Sequence, residues 1–163
     1  KTEAEFNSVA KEASEKDEAL RVAEDSLRAA KRELSVMMNA VSEIVDLAYD
    51  SFVNGNLDSA IQVEPLEEVV DTLKDSIKSK HIYRLQKGDC TIELGFILQD
   101  ISTDLERVSD HCSNIAVYQI QVPQDELDAH EFLANMRKVD HQDFDRMKAA
   151  YKVKYQLPKM EEA

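Results

Sequence analysis

Apolar positions along the first fifty or so residues recur in alternating steps of three and four. Leu20, Ala23, Leu27, Ala30, Leu34, Met37, Val41, Ile44 and Ala48 form the seam, and Phe6, Val9 and Ala13 continue its phase backwards. Such steps mark one face of an α-helix, so a single long helix is predicted from near residue 3 to about residue 53. Asn54-Gly-Asn56 ends it, because Gly55 can take the left-handed conformation that closes a helix. A second seam, Leu66, Val69, Val70, Leu73 and Ile77, predicts a helix to about Gln86 with Gly88 as its stop. Asp58 reads as the cap of a short helix before it. Pro65 then falls early in the second helix or kinks it, since its ring excludes a hydrogen bond farther in.

The third seam is Leu94, Leu98, Ile101, Leu105, Val108, Cys112 and Ile115, on a helix capped by Asp89 or Thr91 and stopped before Pro123. Residues 124–137 and 141–155 read as two shorter helices, and no segment alternates with strand period. The expected fold is all-α: an antiparallel three-helix bundle with a long N-terminal helix and two shorter C-terminal ones. Residues 1–19 form a helical extension or linker, 20–121 the bundle, and 122–163 a C-terminal helical extension.

Two acidic pairs stand out from this frame. Glu67 and Asp71 lie one turn apart on the second helix, and Glu106 and Asp110 one turn apart on the third. Asp71 precedes the break at Lys87-Gly-Asp89 by as much as Glu106 follows it, and the same holds for Glu67 and Asp110. An antiparallel hairpin turning there sets Asp71 level with Glu106, and Glu67 level with Asp110. Both pairs are offset from their seams in the same rotational sense, so they land on one side of the hairpin, outside the core. Acids are abundant, 33 of 163 residues, and pairs such as Asp46/Asp50 and Asp100/Asp104 recur by chance as solvated helix surface. Level matching and a shared side are harder to obtain by chance and make a cation site geometrically possible; ordinary solvated helix surface is the other reading. All-oxygen donors suit magnesium, calcium, manganese or iron rather than copper. His111, with Asp100, Asp104 and Arg107, reads as a salt-bridge stripe, and His81 as packing or surface.

Composition narrows the setting. A net charge of −13 excludes a nucleic-acid binder and disfavours a bare anion receptor. No apolar run reaches the roughly 18 residues of a spanning helix, and no signal sequence is visible. The chain begins at Lys1 rather than Met and is read as an excised piece. Cys90 and Cys112 sit at distant levels of the hairpin, so reduced thiols in a cytosolic compartment are expected. Neither Cys-x-x-Cys nor His-Glu-x-x-His occurs, and no nucleophile motif or phosphate loop suggests an enzyme.

The stretch Asp104-Leu-Glu-Arg-Val-Ser-Asp-His-Cys-Ser-Asn-Ile-Ala116 resembles the third-helix motif of the PhoU family, helical-bundle proteins associated with phosphate transport and its regulation. Glu67-Glu-Val-Val-Asp71 is similar to that family's acidic motif on the preceding helix. The segments 63–71, 81–88 and 90–96, with the tail from 130 to 158, look like the C-terminal domain of bacterial sodium/phosphate cotransporters. The resemblance implies a metal site at Glu67, Asp71, Glu106 and Asp110, filled by a divalent or trivalent ion that holds phosphate in turn. It further implies a regulatory domain at the cytoplasmic face of the membrane, with a membrane transporter domain on the same polypeptide. A stand-alone regulator of phosphate uptake or signalling is the alternative, and a di-metal hydrolase a third reading. Only one copy of the paired motif occurs, which together with the long first helix predicts apolar surface that a homodimer or a partner helix covers.

Overall fold

The computed structural model describes residues 2–121 and 141–159. Four helices carry these residues: α1 (Thr2–Asn54), α2 (Leu57–Lys87), α3 (Ile92–Gln121) and α4 (His141–Lys154). The expected helix over residues 124–137 lies outside the described residues. Among the described residues there is no strand, and no helix is long and apolar enough to cross a membrane.

Helix ends follow local chemistry. Gly55 and Gly88 both adopt positive φ, at 65° and 79°, where a side chain would be strained. At Gly88 the cap amide reaches back to the carbonyls of Arg84 and Leu85. The α2 cap is Asn56 rather than Asp58. The Asn56 Oδ1 accepts from the amides of Asp58 and Ser59 at 3.1 and 3.3 Å, and Asp50 of α1 locks this turn by accepting from Ser59 Oγ and Asn56 Nδ2. No separate short helix precedes α2, which runs unbroken through Pro65. Pro65 is buried, so the packing on either side of it offsets the hydrogen bond its ring removes. Thr91 starts α3, its Oγ1 accepting from the Leu94 amide at 3.3 Å.

α1, α2 and α3 form an up-down-up bundle. The antiparallel order of α2 and α3 is fixed by the pairs Glu64–Ser113 and Lys74–Glu106, whose numbers rise on one helix as they fall on the other. Asp50–Ser59 and Glu33–Arg84 do the same for α1 and α2. The core runs from Ala30 to Ala48 on α1, through Val63 to Ile77 on α2, to Leu98, Cys112, Ala116 and Ile120 on α3. The α2 seam is buried throughout, as expected from its sequence.

The α3 seam differs from expectation. Leu98 and Cys112 are buried as expected, but Ile101, Val108 and Ile115 remain 40, 42 and 41% exposed, while Ser102, Ser109 and Ala116 are buried in their place. Small side chains allow α3 to approach its neighbours closely, and the Ser102 hydroxyl satisfies itself on the Leu98 carbonyl at 2.6 Å. The helix is therefore rotated, with its isoleucines moved to a flank. The α1 seam is shortened too: the helix is exposed from Thr2 to Arg21, and its first buried residue is Ser26.

The bundle's three outer faces differ in chemistry. α4 packs on α2, with Tyr151 bonded to Gln62 at 3.1 Å and Lys148 to Glu68, and at its C-terminal end Lys154 and Tyr155 reach Glu43 of α1. The acids of α2 and α3 occupy a second face. On α3 the isoleucine stripe lies on the flank opposite Glu106 and Asp110, hence beside α1. On α1 the stripe Met38, Val45, Tyr49 and Phe52 lies on the flank opposite Glu43, hence beside α3. Among the described residues the third face is thus an exposed apolar surface, with Ile97, Ile101, Val108, Ile115 and Tyr118 from α3 joining the four from α1.

At the far end of α2, the buried His81 ring lies against Gly95 of α3. A Cβ on residue 95 would stand 2.4 Å from His81 Nε2 and 3.0 Å from its Cδ2. Burial, and then the Arg84 charge, hold the imidazole below its usual range, so it stays neutral. Its Nδ1 is 3.6 Å from Cys90 Sγ, and both cysteines are free. Gly95→Ala is expected to destabilise the bundle by about 1–3 kcal/mol, because a Cβ at this distance forces the buried ring out of its place. Urea unfolding of the variant measures this as a lower midpoint.

Candidate metal centre

The acidic face is built by the register of α2 and α3. Val69, Val70, Leu73 and Ile77 anchor α2 in the core, which turns Glu67 and Asp71 outward at one edge. Leu98, Cys112 and Ala116 anchor α3, and Asp110 then projects from the adjoining edge. One oxygen from each of Glu67, Asp71 and Asp110 lies within 4.8 Å of the others. The hairpin register read from the sequence is the one observed.

Crowding raises the proton affinity of the group. Burial first, then the charges of Asp71, Glu64 and Asp110, push the Glu67 carboxyl up to about 8. The neighbouring Asp110 carboxyl adds to this by offering a partner to the protonated form of Glu67. Asp71 and Asp110 are exposed as whole residues. The Asp71 carboxyl nevertheless also titrates above its ordinary range, from desolvation and then from Glu106 and Asp110.

Glu106, the fourth expected ligand, is adjacent but engaged. It lies near enough to raise Asp71, while its carboxylate accepts from Lys74, one turn beyond Asp71 on α2. The structure thus brings Glu67, Asp71 and Asp110 together and gives Glu106 a lysine partner.

Several residues of the cleft were not singled out by sequence. It measures about 530 Å³ and is lined also by Glu64, Glu68, Ser113, Asn114 and Lys148. Glu64 was detectable, since it precedes Glu67 by three residues on the same helix face; Ser113 Oγ donates to it at 2.6 Å. Lys148 had no sequence signal, because α4 brings it from eighty residues away to Glu68. Thr103, elsewhere on α3, accepts from Gln99 Nε2 through its hydroxyl at 3.1 Å. The Asp104–Arg107 contact, at 3.9 Å between highly exposed groups, is the weak surface pair expected of that stripe.

These donors fit a hard cation. Three carboxylate oxygens converge, with an amide and a hydroxyl at hand, and among the described residues no thiol or imidazole lines the cleft. The raised Glu67 gives the same message chemically: a proton occupies a position where positive charge is wanted.

The profile of the PhoU domain matches residues 34–118, just over half of the chain and the whole acidic hairpin. The chain belongs to the PhoU domain family. It is 30% identical over 84 residues to the phosphate-specific transport system accessory protein PhoU homolog 1 of Thermotoga maritima. That alignment takes in 52% of this chain and 36% of the relative, so the chain spans about a third of that PhoU protein's length. No solved structure matches the chain significantly.

Proposed function

We propose that this PhoU-like chain is a regulatory domain in phosphate transport whose α2–α3 cleft binds a hard divalent or trivalent cation. The observation that carries the reading is the convergence of Glu67, Asp71 and Asp110 within 4.8 Å, with Glu67 pushed up to about 8. Carboxylates gathered this closely repel, and a cation relieves that repulsion without a proton. Magnesium, manganese, calcium and iron fit the all-oxygen donor set. Glu106 joins the site when it exchanges Lys74 for the ion.

A bound ion gives an acidic protein a means of holding phosphate. Lys148 stands at the rim of the same cleft and offers a second positive group to a phosphate oxygen. Because Lys148 belongs to α4, a change of charge in the cleft reaches the face where α4 lies, which is the route we assign to regulation. The partner would be a transporter's membrane domain, carried on the same polypeptide in the sodium/phosphate symporter reading. A free regulator acting on a separate transporter is supported equally well by the likeness to the Thermotoga maritima accessory protein. Reading the full gene separates the two: membrane spans in frame with Lys1 select the first. A hydrolase has less support, since among the described residues the cleft offers acids, Ser113, Asn114 and Lys148 but no His or Cys.

Calorimetric titration with manganese or magnesium tests the site. Binding at pH 7 should release about one proton, seen as an enthalpy that varies with the ionisation enthalpy of the buffer. Phosphate should bind the loaded protein more tightly than the cation-free one. Absence of cation binding by the wild type would sink the reading.

A further inference from the structure

We infer that the groove between α2 and α3 at their hairpin end binds the anion of one long-chain fatty acid. The carboxylate rests on Lys74 and Lys78, and the chain runs toward the turn. The groove measures about 240 Å³ and shares no lining residue with the acidic cleft. From Lys74 to Leu85 it runs about 16 Å, at roughly 1.5 Å per helical residue. The hairpin register gives it two unlike ends. Lys74 and Lys78 stand level with Ser102 and Gln99 of α3, whereas Ile82 and Leu85 stand level with Phe96 and Ile92. Ile82, Ile92 and Phe96 are 44, 60 and 68% exposed, so an alkyl chain laid along this end removes apolar surface from water.

The charge of the groove runs against that of the protein. Among the described residues its charged lining groups are the two lysines, in a chain of net charge −13. His81 lies in the groove wall one turn beyond Lys78, and its Nε2 is buried with no hydrogen-bond partner among the described residues. Gly95 sets no side chain over that edge of the ring. A carboxylate on Lys78 supplies an acceptor for the Nε2–H. Size selects a single chain. The volume falls below the roughly 300–1,000 Å³ of ordinary ligand pockets, and a slot this small does not admit a helix about 10 Å across. The net negative charge opposes contact with an anionic bilayer, which favours the free amphiphile over a membrane lipid.

Lys74 ties the groove to the acidic cleft. It lines the groove, yet its ammonium is held by Glu106 across the hairpin. Released from Glu106, Lys74 gives its full charge to the carboxylate, so whatever draws Glu106 away strengthens the groove. Where that agent is the cation proposed above, the two ligands favour each other, and this link alone rests on that reading.

Calorimetric titration of the full chain with dodecanoate, in chelator and below its micelle-forming concentration, is the test. The wild type should bind one equivalent. Hexanoate, shorter by six methylenes, should bind at least about a hundredfold more weakly. Dodecyl maltoside, with the same chain and an uncharged head, should bind at least about tenfold more weakly. Lys78→Gln, at an exposed position, and Phe96→Ser should each weaken dodecanoate by about tenfold or more while keeping the wild-type far-ultraviolet circular dichroism. Should Phe96→Ser unfold, Lys78→Gln decides. Glu106→Gln, which frees Lys74 without metal, should tighten dodecanoate about fivefold. Adding Lys74→Gln should abolish that gain, and Asp104→Asn, the same loss of charge elsewhere on α3, should not produce it. Absence of dodecanoate binding by the wild type overturns the inference. So does binding unchanged in Lys78→Gln, equal for the uncharged amphiphile, or found only on anionic phospholipid vesicles, which would assign the hairpin end to a bilayer. A Glu106→Gln chain that binds no tighter removes the link through Lys74. Because every arm is run in chelator, failure here leaves the cation reading standing, and failure of cation binding leaves the groove standing.

Discussion

Replacing Glu33 by alanine should cost the fold about 3–5 kcal/mol, the penalty of leaving a buried charge without its partner. Glu33 is 2% exposed and Arg84 8%, and the two are joined fork to fork at 2.8 and 2.9 Å between α1 and α2. Without the carboxylate the guanidinium stays in the core interface, where the Arg84 Nε already lacks a partner. Arg84→Ala should cost less, because Lys80 stands 3.9 Å from the same carboxylate and can take over part of its neutralisation. Replacing both with apolar residues of similar volume, Glu33→Leu with Arg84→Met, should recover most of the loss. Urea midpoints at constant m-value measure all three. Equal losses for the two single variants would show that Lys80 contributes no compensation.

That ion pair also marks where sequence reading stops. A lone glutamate on an acid-rich helix has no periodic signal, and its partner lies fifty-one residues on. Helix ends were legible because Gly55 and Gly88 supply a backbone conformation that few other residues tolerate. The α2 seam was legible because every one of its large apolar residues is buried. α3 was read one flank off for a volume reason. Its bulky residues repeat every seven, yet close packing selects Ser102, Ser109 and Ala116 for the interior, and hydropathy alone cannot see that choice. The acidic cluster was legible down to its register, since two helices and one tight turn leave little freedom. The pairing of Glu106 with Lys74 was not, because spacing gives the level of a side chain but not which neighbour it reaches.

Stripped of divalent cations, the protein should lose stability as pH rises from about 5 to about 8, the reverse of the usual behaviour of a carboxylate in an ion pair. The sign follows from Glu67, which is raised from an ordinary 4.5 to about 8. Between those values the folded chain holds a proton that the unfolded chain has released. The Glu67 contribution is thus fully favourable only near and below pH 4.5, and it falls away until pH passes about 8. Asp71, raised in the same direction, adds to the slope. Partial solvent screening limits the combined effect to about 1–3 kcal/mol. Glu67→Gln keeps the volume and removes the charge, so at pH 8 the cation-free variant should melt above the wild type, with a flatter pH profile. Saturating manganese should reverse this order, because binding to the folded state adds RT ln(1 + [L]/Kd) to the wild type and little to the variant. Asp110→Asn should behave as Glu67→Gln does, through the same oxygens. Glu106→Gln should differ: it breaks the contact with Lys74, so its cation-free form gains nothing at pH 8. Melting curves of the four proteins at pH 5.5 and 8, each with chelator and then with manganese, are the measurement. A wild type that is more stable at pH 8 than at pH 5.5 without metal, or a cation response equal in all four, would return these carboxylates to ordinary helix surface.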